Sequence, residues 1–279
     1  MRWKGRRESS NVEDRRRISP KGAIGGGIGG IVIILIVMLL GGDPSSLLQN
    51  ISLDNQSTTN YIESAEDKEL AQFVSVVLAE TEDVWHKIFR DADAEYREPK
   101  LVLFNGKVQS ACGIAGSATG PFYCPGDEKL YIDLSFYDEL QNRFKAPGDF
   151  AMAYVIAHEV GHHIQQLTGT MEEVNKLRSR LSEKEYNKYS VRLELQADFY
   201  AGVWAHYTKR ADLLEEGDLE EALNAASAVG DDRIQKSAQG YIVPDSFTHG
   251  TSEQRKRWFY KGYTTGDINQ GNTFSARDL

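Results

Sequence analysis

His158-Glu159-Val160-Gly161-His162, answered downstream by Glu194-Leu195-Gln196-Ala197-Asp198, confines this chain to folds in which two helices pack side by side. Histidines at positions i and i+4 of a helix lie on one face, close enough to hold a single metal ion. Glu159 projects from the adjacent face, within reach of a water rather than of the metal itself. A second helix that delivers Glu194 completes a ligand set of two histidines and one glutamate, with a fourth position left for water. That is the open geometry of catalytic zinc, not the closed four-ligand geometry of a structural site. Asp198 stands one turn after Glu194, where it can accept the free ring N–H of a ligand histidine and fix its tautomer.

The competing reading is an inert surface helix with two solvated histidines, since HExxH alone is short. It fails to explain why Ala151 to Ile164 is otherwise so apolar, a pattern of a buried helix and a poor place for unpaired polar groups. Thr168-Gly169-Thr170 offers a helix exit, and a long helical pattern then returns through Glu194.

The residues around these motifs carry a resemblance. Val155 to Gln165, with Leu193 to Asp198, resembles the bacterial neutral zinc metallopeptidase family. So do Ala118-Thr119-Gly120-Pro121-Phe122-Tyr123-Cys124-Pro125, Asp133-Leu134-Ser135-Phe136 and Asp245-Ser246-Phe247-Thr248-His249-Gly250-Thr251-Ser252. The Glu-x-x-x-Asp helix is more distantly similar to that of the thermolysin-like gluzincins and of membrane-bound zinc peptidases. The resemblance implies one Zn2+ held by His158, His162 and Glu194, with Glu159 as general base and Asp198 behind the ligands. His249 and Arg255 resemble the late His-Pro…Arg element of the membrane-bound zincins, with Gly250 where those have proline. It implies a catalytic part for His249 and a substrate-binding or structural one for Arg255.

The beginning of the chain is a separate matter. Residues 22–42 are an uncharged stretch with the core Ile31-Val32-Ile33-Ile34-Leu35-Ile36-Val37-Met38-Leu39-Leu40. At about 1.5 Å per residue it is long enough to cross a hydrocarbon layer of about 30 Å. The rivals are a cleavable signal peptide, for which Gly41-Gly42-Asp43-Pro44 offers no good cleavage site, and a buried soluble helix. Residues 1–21 hold 8 basic and 3 acidic side chains. By the positive-inside rule they form a cytoplasmic tail, with the remainder exported as a periplasmic or extracellular domain on a single-pass inner-membrane anchor. Subtracting them from the totals of 32 basic and 41 acidic residues leaves 24 and 38, a net charge of −14. An acidic body argues against nucleic acid as a partner.

Cys112 and Cys124 are the only cysteines. An oxidising compartment favours a disulfide between them; the alternatives are buried thiols or metal ligands, and their spacing fits no common zinc knuckle.

Residues 43–66 are rich in Ser, Asn, Gln and Thr and read as a polar stalk. Leu70, Phe73, Val74, Val77, Leu78, Val84, Trp85, Ile88 and Phe89 recur at helical spacing. Lys100 to Phe104 and Lys129 to Leu134 read as strands, and residues 118–134 as the sheet edge beside the cleft. Helices are expected over 150–167, 183–208 and 219–229, and Thr251-Ser252-Glu253-Gln254 fits a capping box opening the last one. His86, His163 and His206 are read as packing or surface residues, and 264–279 as a polar tail.

The expected architecture is α+β and zincin-like, mostly helical with a small sheet next to the HExxH helix, after one transmembrane helix. The catalytic domain is expected over 67–263. The expected function is that of a membrane-anchored zinc endopeptidase acting on peptide or protein substrates. The alternatives are a non-catalytic, zinc-stabilised peptide-binding module and an amidase acting on a cell-wall peptide.

Overall fold

The computed structural model describes residues 1–17 and 63–279. The expected transmembrane segment (22–42) and most of the expected stalk lie outside those residues. Among the described residues no helix is long and apolar enough to cross a membrane.

A four-stranded sheet has the order β1 (Val12–Asp14), β2 (Lys100–Phe104), β6 (Lys129–Asp133), β5 (Phe122–Cys124). β1, β2 and β6 run parallel, with Val12 opposite Leu101 and Leu101 opposite Leu130. β5 closes the order antiparallel to β6, with Tyr123 opposite Leu130, and is the edge on the cleft side. Between β2 and β5 a separate hairpin, β3 (Lys107–Ser110) and β4 (Gly113–Gly116), stands off the sheet. β2 and β6 are apolar on both faces because both faces are covered. Leu101, Leu103, Leu130 and Ile132 enter the main core, while the alternate residues Val102, Phe104 and Tyr131 form a second cluster with Val108 and Cys124.

Helices make up the rest. α1 (Ala65–Asp91) opens with a capping box between Ser64 and Asp67 and lays Phe73, Val77, Leu78, Trp85 and Ile88 into the core. α2 (Ser135–Asn142) follows β6, and α3 (Asp149–Leu167) is buried from Phe150 to Gln165. A helix apolar on all sides belongs in the centre, and α3 is there. After α4 (Thr170–Leu177) comes α5 (Glu183–Arg210), then α6 (Asp218–Ala228), α7 (Asp231–Gln239) and α8 (Ser252–Thr265).

Two glycines set how closely these helices meet. A Cβ on Gly161 of α3 would stand 2.9 Å from the Ala197 carbonyl oxygen of α5, and one on Gly202 of α5 would stand 2.0 Å from the Phe259 carbonyl oxygen of α8. The stripe Ala197, Ala201, Ala205 is fully buried along the same seam. Small side chains thus let backbones approach, and the approach brings Glu194 and Asp198 to the histidines of α3.

Both ends of the chain differ from expectation. Residues 1–17, read as a detached basic tail, are built into the domain. β1 extends the sheet, Met1 and Trp3 are buried, and the Trp3 ring meets Phe73 edge-on at 5.5 Å. The basic side chains are taken up by acids of the body: Arg6 by Glu80 at 3.0 Å, Arg7 by Glu82 at 2.9 Å, and Arg16 by Glu63 at 2.7 Å. The Met1 amine lies 2.9 Å from Asp149 and 3.4 Å from Asp218. Charge composition misled here because these charges are paired on folding rather than left free. The domain also resumes at the Ser64 cap, ahead of residue 67.

At the other end, residues 264–279 pack on α5 and α8 instead of trailing. Thr273 is fully buried; its hydroxyl donates to the Arg192 carbonyl at 2.6 Å, and the Arg192 guanidinium donates to the Thr273 carbonyl. A few apolar residues, Ile268, Phe274, Ala276 and Leu279, suffice to dock a segment whose composition is polar.

Candidate metal centre

α3 presents His158 and His162 one turn apart, and α5 brings Glu194 across to them. His158 Nε2 lies 3.2 Å from Glu194 Oε2, and His162 Nε2 lies 3.5 Å from Glu194 Oε1. One ligand atom from each residue falls within 4.8 Å of the others, which suits a shared ion. The donor chemistry fits zinc: two imidazoles and one carboxylate, each presenting its coordinating atom inward.

The far side of each imidazole is held. His158 Nδ1 lies 2.8 Å from Asp198 Oδ1, and His162 Nδ1 lies 2.9 Å from Gln165 Oε1. The Gln165 amide is itself oriented, its nitrogen donating to the Leu193 carbonyl at 2.6 Å and to Gln196 Oε1 at 3.1 Å. An acceptor at Nδ1 fixes the proton there and leaves the Nε2 lone pair for a metal.

Asp198 is fully buried and accepts from other donors besides the His158 ring. Arg255 Nε donates to its Oδ2 at 2.8 Å and Arg255 Nη2 to its Oδ1 at 2.9 Å, while the Tyr154 hydroxyl donates to Oδ1. Burial works against the Asp198 charge, but Arg255 and His158 outweigh it and hold the pKa down to about 2. Burial likewise disfavours a charged His158, yet Asp198 and Glu194 pull its pKa up to about 9 in the metal-free chain. Glu194 is held well below the usual carboxylate range: His162 and His249 overcome its burial.

Glu159 lines the same cleft as His158, His162 and Glu194, a space of about 460 Å³. Phe136, Phe144, Val155 of α3, one turn before Glu159, and Ile234 of α7 are among the apolar residues that line it. His249 and Arg255 line it too. The His249 loop is organised by Asp231, whose Oδ2 accepts the backbone N–H groups of Thr248, His249 and Gly250 at 2.8, 2.6 and 3.0 Å. Its other oxygen lies 3.3 Å from His249 Nδ1. Glu194 foremost, then Asp231, raises the pKa of His249, whose side chain is half exposed. With Nδ1 engaged, Nε2 is the ring nitrogen available to the cleft.

The structure therefore gathers His158, Glu159, His162, Glu194, His249 and Arg255 at one cleft, with Asp198 behind His158. Arg255, read from sequence as substrate-binding or structural, is 3 % exposed and bonded to Asp198. Cys112 and Cys124 form a disulfide that ties the β3–β4 turn to edge strand β5, beside the cleft and apart from the metal ligands. Tyr154, Gln165 and Asp231 were not anticipated. Tyr154 and Gln165 had a readable signal, standing one turn before His158 and one turn after His162; Asp231 had none, because its partner is a loop some eighteen residues on.

A family model described as "Putative neutral zinc metallopeptidase" matches residues 1–274. The chain is 50 % identical to the uncharacterized protein YpfJ of Escherichia coli K12, over 98 % of this chain and 99 % of that protein. It is 39 % identical to the uncharacterized protein Rv2575 of Mycobacterium tuberculosis H37Rv, over 86 % of this chain and 85 % of that one. No solved structure gives a significant match. A motif set resting on the paired helices and a match spanning nearly the whole length agree: the chain belongs to the putative neutral zinc metallopeptidase family.

Proposed function

We propose that this chain is a zinc-dependent endopeptidase whose ligands are His158, His162 and Glu194. The observation that carries the reading is the inward aim of both Nε2 atoms at the Glu194 carboxylate, with both Nδ1 atoms held from behind. When bound there, zinc supplies Lewis acidity, which lets a water be deprotonated near neutral pH and polarises a carbonyl.

The remaining work falls to the side chains. Glu159 takes the proton of the attacking water and returns it to the departing amine. His249 donates from Nε2 to the oxyanion that develops as the carbonyl becomes tetrahedral. Arg255 and Tyr154 keep Asp198 ionised and fixed, so His158 holds one tautomer throughout. Edge strand β5 has a free side on the cleft and suits an extended peptide that adds as a further strand. The apolar walls of Phe136, Phe144 and Val155 suit a large apolar side chain of that peptide. The disulfide suits an oxidising compartment. A purely peptide-holding module has no need of a carboxylate at Glu159.

The test is Glu159→Gln, which leaves both histidines and Glu194 in place. Bound zinc should be unchanged by elemental analysis, and cleavage of a diverse peptide library should vanish. Chelator-sensitive cleavage at the unsubstituted rate would sink the mechanism.

A further inference from the structure

His163 follows a proposed metal ligand, is completely buried, and has no part in the chemistry above. Its Nε2 lies 2.6 Å from the Arg97 carbonyl oxygen, which can only accept, so Nε2 carries the proton. Nδ1 then bears a lone pair, and the Tyr123 hydroxyl donates to it across 3.0 Å. Tyr123 is the central residue of β5 and lines the cleft.

We infer that His163 is a positioning residue that fastens edge strand β5 to the metal helix through the Tyr123 hydroxyl, fixing the height at which a peptide backbone lies over the metal ligands. The inference rests on the proposal that β5 receives the substrate. β5 is three residues long and, among the described residues, is laddered on one side only, to β6. Strands so short hold their place poorly by backbone bonds alone. Its neighbours on the outer face are secured differently: Phe122 stacks on Tyr131 at 4.9 Å, and Cys124 is bonded to Cys112. Those contacts tie β5 to the sheet and the hairpin. On the face toward α3, the described hydrogen bond from β5 is that of Tyr123 to His163. Because His163 also holds the Arg97 carbonyl just ahead of β2, one imidazole sets α3 against both strand segments. The neighbouring Tyr96 ring, 6.1 Å away, confines it laterally.

Tyr123→Phe removes one oxygen and His163→Leu the acceptor, each made in the full-length, zinc-loaded protein. Amide hydrogen exchange at residues 122–124 should quicken several-fold in both, while α3 amides stay protected and zinc stays at the unsubstituted level. With oxidised insulin B chain as an extended probe, KM should rise about 2- to 10-fold, the worth of one ordinary hydrogen bond. In His163→Leu, kcat, and the rate on a blocked Gly-Leu amide too short to lie along β5, should change less than about twofold on the same reasoning. The double variant should be no worse than His163→Leu alone, since that change already breaks the Tyr123 bond. Unchanged exchange at 122–124, multiplying effects in the double variant, or equal losses on both probes would each overturn the assignment. Exchange is read whether or not the protein cleaves either probe, so failure of the peptidase reading would show separately. Should His163→Leu not fold, Tyr123→Phe alone decides through the same exchange.

Discussion

Gly161→Ala probes whether helix spacing builds the metal site. The new methyl would stand 2.9 Å from the Ala197 carbonyl oxygen and 3.0 Å from its Cα, whereas ordinary contact begins at 3.4 Å. The seam between α3 and α5 must therefore open by 3.4 − 2.9 = 0.5 Å at that point. Neither neighbour is a flexible side-chain tip, so the helices themselves must move. Two effects on stability oppose each other: alanine gains about 1 kcal/mol of helix propensity over glycine, and overpacking a tight contact costs about 1–3 kcal/mol. Net destabilisation should thus be small, about 0–2 kcal/mol. The metal site is less tolerant. Ala197 lies one turn from Glu194, and ligand distances must hold to within about 0.2 Å. A 0.5 Å opening should lower zinc affinity at least about tenfold, the range seen when orienting groups of a metal site are disturbed. Chelator competition gives the affinity and calorimetry the melting temperature. Unchanged zinc affinity with the variant folded would refute the idea that the Gly161 contact sets the ligand geometry.

Three further outcomes are expected. In the metal-free protein, Asp198 has its pKa lowered from 3.8 to about 2, so its stabilisation is complete above pH 4 and is lost as pH falls toward 2. His158 has its pKa raised from 6.5 to about 9, so its stabilisation is complete below pH 6.5 and is lost as pH rises toward 9; Asp198→Asn should flatten both limbs of the denaturant midpoint against pH, by about 2 kcal/mol on the acid side. His249→Phe should lower turnover by about 10²–10³ with zinc content and melting temperature held, and normal turnover would remove His249 from the mechanism. Trp3→Ala should cost about 3–5 kcal/mol in urea unfolding if residues 1–17 are part of the core, and a change under about 1 kcal/mol would mean they are not.

What the sequence disclosed followed from periodicity. The helical spacing of His158, His162, Glu194 and Asp198 gives each residue a face, and faces survive folding whatever the loops do. β2 and the first five positions of the β6 reading were legible because continuous apolar runs need cover on both sides. The first strand was not legible: Val12-Glu13-Asp14 is three residues with two charges, and only β2 makes it a strand. Tyr154 and Gln165 stand at helical spacing from the histidines, but their bonds to Asp198 and Leu193 appear only in the fold, and Asp231, held to the loop Thr248–Gly250, has no such spacing. The role of Arg255 was left open for the same reason; a buried guanidinium and an exposed one look alike until Asp198 is seen beside it.

The placement of β1 also bears on how the protein is made. Val12 emerges early from the ribosome but pairs with Leu101, 89 positions later, so β1 has no partner until more than a hundred residues have been synthesised. Trp3 and the arginines that belong on α1 wait less long, for Phe73, Glu80 and Glu82. Without residues 1–17 the β2 edge that β1 covers would be left unpaired, a row of open backbone donors and acceptors ready to pair with another chain.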